Sequence, residues 1–115
     1  MLVVDDEEVI RELIKSVLTD EGYEVTLAAS GRSGVELARS QGFDVALVDL
    51  MMPGEMGGFA TLRELKGLRP ECRVVLMTGR PPDEELESQL RLADAHVLKP
   101  FHCKDLVECV RRVAV

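Results

Sequence analysis

Short, uniformly apolar runs alternate with longer stretches of helical periodicity about five times along this chain. The runs Leu2-Val3-Val4, Val45-Ala46-Leu47-Val48, Val74-Val75-Leu76-Met77 and Val97-Leu98 are too short for helices. They have the unbroken apolar character of strands covered on both faces. The pattern predicts strands at Leu2–Val4, Glu24–Ala28, Phe43–Val48, Arg73–Met77 and about His96 to Leu98. A first helix is predicted from Glu7 to Glu21, with Val9, Ile10, Leu13, Ile14, Val17 and Leu18 in one apolar stripe and Gly22 as a left-handed cap. Ser30 is placed to cap a second helix carrying Val35, Leu37 and Ala38, with Gly42 after it. A loop through Pro53, Gly54 and Gly57 leads to a third helix with Phe59, Leu62 and Leu65 on one side. After a loop at Gly79-Arg80-Pro81-Pro82, Asp83 caps a fourth helix to about Leu92. A last helix from about Cys103 carries Leu106, Val107, Val110 and Val113.

Strand–helix alternation with buried strands predicts an α/β fold on a parallel sheet. Right-handed crossovers would put helices on both faces of that sheet. Ligands in such sheets bind beyond the carboxyl ends of the strands. The chemistry-bearing residues stand at those ends. Asp5 and Asp6 follow the first strand, Asp49 the third, Thr78 the fourth, and Lys99-Pro100 the fifth. Three carboxylates, a hydroxyl and an ammonium are thus expected to share one crevice.

Length and charge narrow the function classes. With 115 residues and 46% hydrophobic content, residues 1–115 are expected to form one domain with a real core. A net charge of −7, with one Tyr, three Phe and no Trp, argues against nucleic-acid binding through this domain, so no nucleic-acid partner is expected. No apolar stretch reaches about 18 residues, so no membrane span is expected. The chain enters a strand at once, without a basic-then-apolar leader. Cys72, Cys103 and Cys109 lack metal-ligand spacing and read as reduced thiols of a cytoplasmic protein.

Three crowded carboxylates raise one another's pKa unless a cation intervenes. Mg²⁺ suits a shallow site with few carboxylates, because it keeps several waters and takes phosphoryl oxygens; Mn²⁺ would be accepted at the same place. Asp49 could act as a nucleophile and form an aspartyl phosphate. Metal and ammonium would then neutralise the phosphoryl oxygens, with Thr78 and Lys99 each contacting one. Taken alone, Asp5-Asp6 could merely cap the first helix, and a Lys before Pro is common in turns. Only their joint position favours the chemical reading.

The runs Leu-Val-Val-Asp-Asp-Glu at 2–7, Val-Asp-Leu-Met-Met-Pro-Gly at 48–54, Leu-Met-Thr-Gly at 76–79 and Leu-Lys-Pro-Phe at 98–101 carry a resemblance. In order and spacing the chain resembles the receiver domain of two-component response regulators, over essentially its whole length. That resemblance implies a flavodoxin-like, doubly wound sheet of five parallel strands in order 2-1-3-4-5 with five helices. It implies that Asp49 is the phosphoacceptor and that Asp6 is a direct metal ligand, with Asp5 assisting through water. The carbonyl of Met51 would be a backbone metal ligand, Thr78 the switch hydroxyl and Lys99 the contact to the phosphoryl group. Pro100 stands where family members usually have a cis peptide. A histidine kinase or histidine phosphotransfer protein would be the donor, and no separate substrate would be turned over. A homodimer on the fourth and fifth helices is compatible with the family.

The chain departs from the family pattern on one side. His96 replaces the usual Tyr or Phe three residues before the lysine, and is expected to follow Thr78 with weaker coupling and some pH dependence. Leu92 stands where a glycine commonly closes the fourth helix, and Pro81-Pro82 stiffen a loop that is one residue short. Met51 and Arg80 occupy the two positions that tune hydrolysis, and neither orients water well, so a long-lived phosphoryl group is expected. Met52 reads as core filling. A flavin protein of the same fold would need a hydroxyl- and glycine-rich loop where Asp-Asp-Glu stands. A dehalogenase-type phosphatase would need a second acid at the Met51 position. A degenerate binding module would lack the complete set of five polar residues. The start at the first strand and the end inside the last helix fit either a stand-alone receiver or one module of a longer regulator, whose output is not written here.

Overall fold

The computed structural model describes residues 1–52, 54, 56–79 and 83–114, the side chain of Glu85 excepted. Five strands alternate with five helices: β1 Leu2–Val4, α1 Glu8–Asp20, β2 Thr26–Ala28, α2 Gly31–Ser40, β3 Val45–Asp49, α3 Gly58–Leu68, β4 Arg73–Thr78, α4 Glu84–Leu90, β5 Ala95–Leu98 and α5 Cys103–Val113. All pairings are parallel, in the order β2-β1-β3-β4-β5. The α/β architecture is the one predicted from the pattern, and the strand order is the one the family resemblance implies.

Strand alternation divides the core. Leu2, Val4, Ala46, Val48, Val74 and Leu76 face a layer built on α2, α3 and α4. Val3, Val45, Leu47, Val75, Met77 and Val97 face α1 and α5 through Ile14, Leu18, Leu106 and Val110. Strands covered on both sides can be apolar at every position, which is why the runs lack alternation.

The local signals act as expected at three helix ends. Gly22 has φ +94°, its N–H donates to the Thr19 carbonyl at 2.9 Å, and the Tyr23 N–H donates to Leu18 at 3.1 Å. These are the two bonds of a Schellman cap, and glycine adopts that backbone without strain. Ser30 and Ser33 form a reciprocal capping box at the start of α2. Asp83 accepts the Leu86 N–H at 2.8 Å and caps α4.

Elsewhere the boundaries move. β3 extends through Asp49 and β4 through Thr78, so both polar residues are the last members of their strands. β2 begins only at Thr26, and α4 stops at Leu90, leaving Leu92 exposed in the following turn. The six-residue stripe on α1 is wider than its buried face. Ile14 and Leu18 are fully buried and Ile10 is partly buried, whereas Val9 is 78% and Leu13 43% exposed. The 3.6-residue period puts positions 10, 14 and 18 in line and swings 9 and 13 to the shoulder. Arg80, Pro81 and Pro82, with the stiffened loop and the hydrolysis-tuning position expected there, lie outside the described residues. Among the described residues no helix is long and apolar enough to cross a membrane.

Candidate metal and phosphoryl site

The carboxyl ends of β1, β3 and β5 bring Asp5, Asp6, Asp49 and Lys99 together. Asp5 is fully buried, Asp49 is 4% exposed, and Asp6 is open to solvent. One oxygen from each of the three carboxylates lies within 4.8 Å of the others. The Lys99 ammonium is 2.8 Å from Asp5 Oδ2 and 3.4 Å from Asp49 Oδ1. The Lys99–Pro100 bond is cis.

Each side chain is aimed by a short piece of backbone. Asp49 follows Val45 and Leu47 in the alternation of β3, on the α1/α5 side, and its Oδ1 accepts the Met51 N–H at 3.4 Å. Asp5 Oδ1 accepts the Glu7 N–H at 2.9 Å, an Asx turn leading into α1. Asp5 thus braces the turn before α1 without capping the helix, whose N-cap is Glu7 and carries no side-chain cap bond, so the simple capping alternative for Asp5-Asp6 does not hold. Behind Asp49, α3 presses close. A Cβ on Gly58 would meet the Asp49 carbonyl at 2.7 Å, so glycine is required for that approach. Thr78 is fully buried at the end of β4, on the Val74–Leu76 side, and its carbonyl accepts the Lys99 N–H at 2.6 Å.

The crevice is electrostatically unbalanced. Burial, and then the neighbouring Asp5 charge, push Asp49 up to about 6, with Lys99 and the Met51 N–H only partly offsetting them. Burial works to lower Lys99, but its hydrogen bond to Asp5 and the charges of Asp49 and Asp5 outweigh burial and raise it. Three acids against one ammonium leave room for a further cation. Oxygen donors at this spacing, one solvent-open, fit a hard divalent ion that keeps waters.

The stretch of chain that carries these strand ends is matched by a family model. The model is described as the response regulator receiver domain and matches residues 1–111.

The chain belongs to that family.

Response regulator RR06 of Streptococcus pneumoniae is 38% identical over 115 residues, which cover 98% of this chain and 50% of that protein. The chain spans about half the length, or less, of the curated relatives it matches. The chemotaxis protein CheY4 of Vibrio cholerae superimposes with a TM-score of 0.90 at 30% identity, over 97% of this chain and 95% of that one. The response regulator TrrA of Thermotoga maritima, solved in complex with Mg²⁺ and BeF, superimposes at 0.86 with 32% identity, over 97% of this chain and 96% of that one.

The β5 edge carries two exposed side chains, His96 and Leu98, among the described residues. His96 is exposed on the edge strand β5, beside a groove of about 420 Å³ lined by Leu98, Phe101, Asp105, Glu108 and Arg112. Leu98 is 46% exposed. α4 buries Leu86 and Leu90 in the core layer it shares with α2 and α3. Met51 is exposed beside the crevice and Met52 is buried in the core, as expected for a gap-filling residue. Cys72 and Cys109 are buried, Cys103 is exposed, and all three are free thiols.

Two residues that hold the site were not singled out from sequence. Arg11 donates to the Asp5 carbonyl at 2.7 Å, and Gly58 admits α3 against Asp49. An arginine in a helix and a glycine after a loop give no local sign of such contacts.

Proposed function

We propose that this receiver domain takes a phosphoryl group onto Asp49 from a phosphohistidine on a histidine kinase or phosphotransfer protein, in the cytoplasm. The observation that carries this reading is a buried acid at a strand end, flanked by two further carboxylates and reached by Lys99 at 3.4 Å. An Asp49 carboxylate oxygen would attack phosphorus. The O–P bond forms as the donor's N–P bond breaks, and the electron pair leaves with the imidazole nitrogen. With its pKa at about 6, Asp49 is mostly ionised at neutral pH and ready to attack. Asp5, Asp6, Asp49 and the Met51 carbonyl would hold Mg²⁺, which supplies positive charge against the phosphoryl oxygens. Lys99 neutralises another of those oxygens, and the Thr78 hydroxyl accounts for a third. A Thr78 drawn toward the phosphoryl would bias the β4–β5 edge between two states, with His96 as its reporter. The domain accepts a group and turns over no separate substrate.

Val9 and Leu13 support a protein donor, because they leave apolar surface exposed on α1 just beyond Asp6. The complex that TrrA forms with Mg²⁺ and BeF supports the same ligand chemistry here. Treatment with acetyl phosphate followed by intact-mass analysis tests the reading. A single phosphoryl adduct should form with Mg²⁺, fail with chelator, and vanish in Asp49→Ala. An adduct that forms without metal, or survives Asp49→Ala, would sink it.

A further inference from the structure

The turn between β1 and α1 is held at every polar group of Asp5. Its N–H donates to the Ala28 carbonyl at 3.1 Å, its Oδ1 accepts the Glu7 N–H at 2.9 Å, and its Oδ2 faces the Lys99 ammonium at 2.8 Å. The remaining group, the main-chain carbonyl, accepts from Arg11 Nη1 at 2.7 Å. Arg11 is half-buried on α1, so this bond runs back from the helix to the turn that starts it. Asp6 is the contrast. It is exposed, and among the described residues its carboxylate accepts no hydrogen bond.

The Asp5 carbonyl belongs to the peptide that joins Asp5 to Asp6. That unit is planar, so fixing its oxygen fixes the rotation of the whole plane. Rotation at the Asp6 Cα is then limited by the Glu7 N–H bond to Asp5 Oδ1, which holds the next peptide plane, so the two bonds together set the direction in which the Asp6 Cα–Cβ bond leaves the chain. Nothing on the Asp6 side chain itself does this work.

We propose that Arg11 is a positioning residue for divalent-cation capture: by clasping the Asp5–Asp6 peptide plane, it aims the Asp6 carboxylate at the site shared with Asp49. The proposal rests on the reading of the crevice as a metal site. It makes a prediction opposite in sign to simple electrostatics. A guanidinium near three carboxylates repels an incoming cation, so its loss should tighten binding if charge were its only role. Loss of a clasp should weaken binding, because partners that orient metal ligands are worth roughly tenfold or more in affinity.

The test is calorimetric titration of the full chain with Mg²⁺ alone, paired with thermal unfolding in chelator. Arg11→Met keeps the aliphatic stem, and so the local packing, while removing every donor. We expect Arg11→Met to bind Mg²⁺ about tenfold more weakly, with an unfolding midpoint close to wild type. Arg11→Lys restores a donor and should recover most of the affinity. Removing the exposed cation Lys15, also on α1, should leave affinity unchanged or slightly tighter. Unchanged or tighter binding by Arg11→Met would overturn the proposal. So would a loss that follows a fall in midpoint and is not recovered by Arg11→Lys. If wild type takes Mg²⁺ and a phosphoryl group at Asp49 while Arg11→Met binds normally, only this inference falls. If wild type takes no Mg²⁺, the metal-site reading falls and this inference with it.

Discussion

Two lysine–aspartate pairs sit at opposite ends of the sheet, alike in distance and unlike in balance. At the amino ends of β4 and β5, Lys66 lies 2.7 Å from Asp94 Oδ2. The same oxygen accepts the Val74 N–H at 2.7 Å, Arg73 lies 3.5 Å from Asp94 Oδ1, and Lys66 also donates to the Cys72 carbonyl. Burial works to raise Asp94, but the hydrogen bonds from Lys66 and Val74 outweigh it and hold the carboxyl below its ordinary range. At the carboxyl ends, Lys99 lies 2.8 Å from Asp5 and must also serve Asp49, which is left with its pKa raised to about 6. One acid meeting two cations and an N–H is a closed structural joint. Three acids meeting one ammonium leave negative charge that a bound cation could balance. A short Lys–Asp distance does not separate the two; the local charge count does.

The largest effect is expected at the closed joint. Asp94→Ala leaves the Val74 N–H without its acceptor and the Lys66 ammonium with only the Cys72 carbonyl, and should cost about 2–3 kcal/mol in urea unfolding. Mg²⁺ affinity should not change, and a parallel loss would break the separation between the two ends.

Asp49→Asn should have the opposite sign. The folded pKa of Asp49, about 6, lies above its ordinary 3.8, so the folded state holds this proton more tightly than the unfolded one. The resulting stability is present below about pH 4 and is lost as pH rises to about 6, after which the penalty is constant. Without metal at pH 7.5, Asp49→Asn should therefore be more stable than wild type by on the order of 2 kcal/mol. The gap should close toward pH 4, and added Mg²⁺ should narrow it at pH 7.5 by stabilising wild type alone. A variant that is less stable than wild type at pH 7.5 in chelator would show that the crevice is not frustrated.

The smallest effect on stability belongs to the unpartnered shoulder of α1. Replacing Val9 and Leu13 by Gln should move stability by no more than about 0.5 kcal/mol, since neither side chain is buried. Transfer from a cognate kinase should slow, while phosphorylation by acetyl phosphate keeps its wild-type rate. Equal slowing of both would place the residues in the chemistry rather than in donor docking.

Much of this is legible in the amino-acid sequence. Uniform apolar runs of strand length specified buried parallel strands, and Gly22, Ser30 and Asp83 marked helix ends through chemistry that acts over three or four residues. Asp5, Asp6, Asp49 and Lys99 were readable as one crevice because parallel strands deliver their carboxyl ends to one edge. The buried face of α1 is narrower than its apolar stripe. Hydrophobicity alone cannot tell Ile14, which meets the sheet, from Leu13, which meets solvent.

The amino-acid sequence by itself therefore determined the strand count, the layering and the set of polar residues at the strand ends, because each follows from local periodicity. Only the tertiary structure decided which acid lies buried and which open, that Lys99 serves two carboxylates at once, and that Arg11 reaches back to clasp the Asp5 carbonyl. Those facts depend on distances between segments far apart in the chain, and on how far burial strips water from each charge. No local pattern encodes either.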